Sequence, residues 1–143
     1  MTSRFAALIV LAALLGAPAA HAQSADGTWL TQVSDARVKI SKCGGGICGV
    51  VAWLREPYDT ATGQPATDSK NPNRELARRP MIGLPLFSGM QPSGPNKWSG
   101  QIYNADDGST YASSISVTGA DSLRVEGCVG ALCGGETWTR AGR

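Results

Sequence analysis

The sequence predicts an all-β domain, an antiparallel meander of eight short strands with one long insertion. Two observations carry this. Apolar and polar residues alternate over short runs, and the runs are separated by Gly-, Pro-, Asn- and Asp-rich turn chemistry. The first expected strand, Gly27 to Gln32, ends at Ser34-Asp35. In the second, Ala36 to Lys42, Val38 and Ile40 share one face while Arg37, Lys39 and Ser41 share the other, the pattern of a strand with a core on one side and water on the other. Gly44-Gly45-Gly46 then turns the chain into Gly49 to Leu54, which is apolar on both faces and therefore predicts cover over Val51 and Trp53.

The expected cover is the insertion 55–80. Pro57, Gly63 and Pro65 argue against a strand at its start, whereas Asn71-Pro72 suits the cap and first turn of a short helix running to about Arg79 and ended by Pro80. Arg74, Arg78 and Arg79 would lie on that helix. They read either as a solvated face or as a site for an acidic ligand. Beyond the insertion, Ile82 to Met90 and Trp98 to Tyr103 flank the turn Pro92-Ser93-Gly94-Pro95-Asn96. Thr110 to Val117 follows Asp106-Asp107-Gly108, and Ser122 to Val129 follows Gly119-Ala120-Asp121, with Leu123, Val125 and Gly127 opposing Arg124 and Glu126. Glu136 to Arg140 closes the series after Gly134-Gly135.

The strands are preceded by a leader. Arg4, the apolar stretch Phe5 to Leu15 and the small-residue site Ala20-His21-Ala22 predict a signal peptide over residues 1–22, with the mature domain occupying 23–143. The apolar stretch is too short for a transmembrane helix, and no later segment suits one better. A soluble periplasmic or secreted product is expected. Cleavage removes the single histidine, His21, and leaves 12 basic against 11 acidic side chains. So small an imbalance argues against non-specific nucleic-acid binding, and the missing imidazole removes the usual triads and proton shuttles.

Four cysteines in an exported chain predict disulfides. Cys43 and Cys48 bracket one Gly-rich turn and Cys128 and Cys133 another, so local bridges across two hairpins are the first expectation; a tertiary pairing between the hairpins is the rival. A four-cysteine zinc site is disfavoured by the spacing and the compartment, and neither pair has the form of a redox-active C-x-x-C. No metal or cofactor is expected.

The remaining chemistry is sparse. Asp106-Asp107-Gly108 lacks the alternate ligand positions of a calcium loop and reads as a hairpin turn, Asp supplying a turn hydrogen bond and Gly a positive φ. No nucleophile elbow, phosphate loop or zincin motif is present, so enzymatic activity has no support in the sequence. Trp29, Trp53, Trp98 and Trp138 either line a cavity for an apolar ligand or form plain core.

Several segments together resemble the exported bacterial family known as domain of unknown function 2147. They are Gly27-Thr28-Trp29-Leu30, Cys48 through Leu54, Asp68 through Asn71-Pro72 to Leu76, Arg79-Pro80 with Gly83-Leu84, Trp98 through Tyr103, Asp107-Gly108 before Tyr111, and Thr137-Trp138-Thr139-Arg140. The resemblance implies a Gram-negative envelope protein and supplies no substrate. The chain also resembles, more loosely, the lipocalin and fatty-acid-binding superfamily, in which a Gly-x-Trp opens the first strand and an Arg near the last strand packs on that Trp. Gly27-Thr28-Trp29 and Arg140 stand at the corresponding ends. This likeness implies a closed eight-stranded antiparallel up-and-down β-barrel, lipocalin-like, in which Trp29 and Arg140 meet. The function expected is non-catalytic binding of a small, mainly apolar ligand, with Trp29, Trp98, Tyr103, Tyr111 and Arg140 as candidate ligand-binding residues. The alternative is a packed-core module that binds another envelope protein through its outer surface.

Overall fold

The structure, a computed structural model, describes residues 13–17 and 23–142. The expected cleavage site at 20–22 and His21 lie outside the described residues. Eight strands form one closed barrel in which each pairs antiparallel with its chain neighbours. They are β1 (Gly27–Leu30), β2 (Ala36–Cys43), β3 (Gly46–Leu54), β4 (Pro85–Gly94), β5 (Lys97–Asn104), β6 (Ser109–Gly119), β7 (Ser122–Val129) and β8 (Leu132–Arg140). Closure runs through β1 and β8, with Trp29 opposite Arg140 and Leu30 opposite Thr139.

Because the strands run alternately up and down, the connections sort to two ends. The β1–β2, β3–β4, β5–β6 and β7–β8 connections share one end, here the mouth; the other three join both chain ends at the floor. Alternation turns Trp29, Ile40, Ile47, Met90, Ile115 and Leu123 inward, and they form one buried cluster with Phe87 and Trp138. Gly49 makes part of this packing possible. A Cβ there would stand 2.3 Å from Phe87 Cζ, so the absent side chain leaves room for the ring.

Both disulfides are the local ones, Cys43–Cys48 and Cys128–Cys133. In the second pair the cysteines face each other directly across β7 and β8, their Cα atoms 4.1 Å apart. Gly134-Gly135, expected as the turn between these strands, instead lies within β8, and the tip falls at Gly130-Ala131. Likewise β4 continues through Pro92 to Gly94, with a register irregularity just after Pro92, and it starts at Pro85 rather than Ile82.

Two expectations about the insertion are overturned. The helix reduces to a 3-10 turn at Leu76–Arg78. Asn71 Oδ1 accepts from the Asn73 N–H in a local turn, and Asn73 Oδ1 accepts from the Glu75 and Leu76 N–H groups, so the helical turn starts later than the expected Asn71-Pro72 cap and is only one turn long before Pro80. Nor does the insertion bury Trp53, which is 37% exposed with the Arg37 guanidinium stacked on its ring. A register irregularity between Arg37 and Val38 pairs Val38 with Val51 and Arg37 with Trp53, leaving Ala52 as the extra residue. That bulge resets the alternation, so Val51 turns into the barrel while Trp53 turns out.

Candidate functional site

The barrel interior is filled towards the floor and open towards the mouth. The opening is a cavity of about 770 Å³. Its walls are chiefly apolar, with Val38, Val51, Leu86, Ile102, Val125 and Trp138 contributing from six strands. An eight-stranded barrel has an interior of the size at which side chains can either close it or leave space for one small molecule. Here bulky residues occupy one half, and Ala36, Gly127 and Gly134 in the wall of the other half contribute little volume.

Val33, Val129 and Leu132 stand at the rim and are 62%, 66% and 82% exposed. Polar lining groups include Asp35, whose Oδ1 accepts from Thr31 Oγ1 at 2.6 Å, and Asp106 on the β5–β6 hairpin. Glu136 projects from β8 one inward position before Trp138, and its carboxylate accepts the Trp138 indole N–H. Tyr111 lines the same space, and its hydroxyl donates to Asp107. That bond holds the Asp107 carboxyl below its ordinary range and pushes the Tyr111 phenol above its own.

The insertion is tied to the mouth by a buried carboxylate. Asp68, 1% exposed, accepts from Tyr103 Oη on β5 at 2.6 Å, from Asn71 Nδ2 at 2.9 Å and from Arg79 Nε at 3.0 Å, with Arg79 Nη2 at 2.9 Å. The arrangement satisfies both carboxylate oxygens, as a buried charge requires. Arg79 also lies over the Tyr103 ring, 5.6 Å from its centroid. Burial, and after it the hydrogen bond to Asp68, pushes the Tyr103 phenol up. The tip of the β5–β6 hairpin abuts the insertion so closely that a Cβ on Gly108 would fall 2.0 Å from the Lys70 carbonyl oxygen. Its φ of 73° is the positive turn angle expected for this Asp-Gly pair.

The candidate residues fall at three places. Tyr103 and Tyr111 line the cavity. Trp29 and Arg140 meet at the floor instead. The indole N–H of Trp29 donates to the Ala25 carbonyl at 2.8 Å, and the Arg140 guanidinium lies 4.2 Å from the ring centroid. Arg140 Nη1 further donates to the Asp26 carbonyl at 3.0 Å and Nε to that of Ala120 at 3.1 Å. Trp98 borders a second hollow of about 520 Å³, between residues 23–26 and the β2–β3 hairpin. Sequence reasoning missed Asp68, Asn71 and Arg79 as one cluster, and it missed Asp35, Asp106 and Glu136 as lining groups. Counting back by two from Trp138 would have turned Glu136 inward.

Among the described residues no group of three or more His, Cys, Asp and Glu side chains is placed to hold a metal ion, and no helix is long and apolar enough to cross a membrane.

Residues 27–140 match the family described as "Uncharacterized protein conserved in bacteria (DUF2147)", and the chain belongs to that family. Among solved structures it is similar to protein HP1028 from Helicobacter pylori, described as belonging to the lipocalin family, with a TM-score of 0.70, 21% identity and 84% of each chain covered. That likeness shows the lipocalin-type fold. No curated protein matches the chain.

Proposed function

We propose that this member of the DUF2147 family is an exported, non-catalytic binder of a small, mainly apolar molecule held in the mouth of its barrel. The observation that carries the reading is the cavity of about 770 Å³, walled mainly by apolar side chains and open at one end of an otherwise filled barrel. Tyr111 and Tyr103 supply polar contacts at its edge, while Trp29 and Arg140 hold the floor beneath it. Export is supported by the leader pattern over residues 1–22 and by two disulfides, which persist in oxidising compartments. The periplasm or the exterior is then the site of action, and 23–143 the mature domain.

The open mouth favours ligand binding over the packed-core alternative, in which side chains would fill the barrel. Native mass spectrometry of the protein purified gently from its own envelope fraction tests the proposal. A retained small molecule, released on unfolding, is the expected result. A ligand-free mass together with a stoichiometric protein partner would replace the cavity reading with the interaction reading.

A further inference from the structure

We infer that the ligand carries a positive charge on its apolar body, as an amine or quaternary ammonium amphiphile does. This rests on the reading of the mouth as a ligand site and adds the charge of what enters it. The charged side chains that line the cavity are Asp35, Asp106 and Glu136, all acidic; among the described residues none of the lining side chains is basic. Of the guanidiniums nearby, Arg79 is paired with Asp68, and Arg55, whose Nη1 donates to the Val33 carbonyl at 3.3 Å, stands outside the lining.

An anionic ligand would therefore bring its charge among carboxylates with no cation in the cavity lining, at a place where apolar walls weaken solvent screening. A neutral ligand would gain only the apolar contact. A cation gains that contact and a charge partner as well. Glu136 is the best placed of the three, because β8 turns it inward and Trp138 Nε1 engages one carboxylate oxygen, leaving the other without a side-chain partner among the described residues. The rings of Trp138 and Tyr111 line the same cavity and offer faces that attract ammonium groups. The apolar walls, among them Val38, Val51 and Val125, suit the hydrocarbon body.

The test is calorimetric titration of the mature, disulfide-intact protein with decyltrimethylammonium, decanoate and decanol, each below its micelle concentration. Decyltrimethylammonium is expected to bind about tenfold or more tightly than decanoate, and to lose about tenfold in Glu136→Gln while decanol binding stays unchanged. Glutamine retains an acceptor for the Trp138 N–H, so the substitution removes charge and keeps shape. Asp35→Asn, read the same way, serves should the first variant fail to fold. Equal binding of all three probes, or an ammonium affinity unaltered by the loss of charge, overturns the charge preference and leaves the cavity reading standing. Binding of none of them overturns the cavity reading itself.

Discussion

At the floor of the barrel the Arg140 guanidinium lies 4.2 Å from the centre of a fully buried Trp29 and donates to main-chain carbonyls, whereas at the mouth Asp68 gathers Tyr103, Asn71 and Arg79 around one buried carboxylate. The floor joins the first strand to the last, and it combines apolar packing with strand pairing and hydrogen bonds to carbonyls. The mouth is held by side chains that depend on one another's charge and protonation. The difference explains how one barrel can be rigid at its base and still keep an open interior. Packing secures the half that is filled, and a polar knot at the cavity's edge, to which Tyr103 belongs, positions the insertion.

The largest effect expected from this contrast comes from Asp68→Ala. Removing one member of a buried charge pair typically costs about 3 to 5 kcal/mol, and the lower end applies because Arg79 is partly exposed and can regain water. Denaturant unfolding should show a loss of about 3 kcal/mol. Hydrogen exchange should quicken across 55–84 and in the β5–β6 hairpin, while amides of β1 and β8 keep their protection. Equal loss of protection at both ends would break the distinction between them.

The floor is tested by a double-mutant cycle. Arg140→Met preserves length without charge, and its effect should largely vanish when Trp29 is already Leu, giving a coupling of about 0.5 to 2 kcal/mol. Additive effects would show that the contact contributes only through its individual partners. Trp53→Ala sharpens the contrast from the outside of the barrel. With its ring turned outward, the substitution should cost less than about 1 kcal/mol, well under the cost of emptying a buried aromatic site. A cost above about 3 kcal/mol would restore the idea that the insertion or a partner covers β3.

The smallest effect is the dependence on pH. Tyr103 has its folded phenol pushed up, so its contribution is fully present below the unfolded value near 10 and is lost as pH rises through the higher folded value. Asp107 is shifted the other way. Its contribution is present above the ordinary carboxylate value near 4 and is lost as pH falls through the lower folded value. Tyr103→Phe should reduce the alkaline limb of the stability profile, leaving the part that the raised Tyr111 phenol contributes. An alkaline limb of undiminished size in that variant would assign it to another group.

How much of this was legible follows from the range over which each feature is encoded. The strands could be read because alternation and turn residues are local, and β7 was placed to the residue at Ser122–Val129. Closure was legible because Gly27-Thr28-Trp29 and Arg140 carry the lipocalin resemblance at the two chain ends. The disulfides followed from hairpin spacing. The bulge beside Val38 was not legible, since one unmatched residue, Ala52, reverses the face of Trp53 without changing the apolar character of the run. Nor was the knot, because Asp68 meets Arg79 and Tyr103 across separations of 11 and 35 residues and nothing in its immediate neighbours signals burial. Arg79 therefore looked like one more member of a solvated arginine run. Glu136 was within reach of alternation, but placing a turn at Gly134-Gly135 cut β8 short and hid the inward positions before Trp138.

The central claim is that the unfilled half of the barrel is where a small molecule binds. The most direct measurement is fluorescence titration with N-phenylnaphthylamine, a neutral apolar probe, in the wild-type protein and in Ile102→Trp, which places a larger ring in the cavity wall. Saturable binding of one probe per barrel, weakened by Ile102→Trp in a protein that remains folded, is the predicted result. Binding that persists unchanged in the variant, or no binding to the wild type, would contradict it.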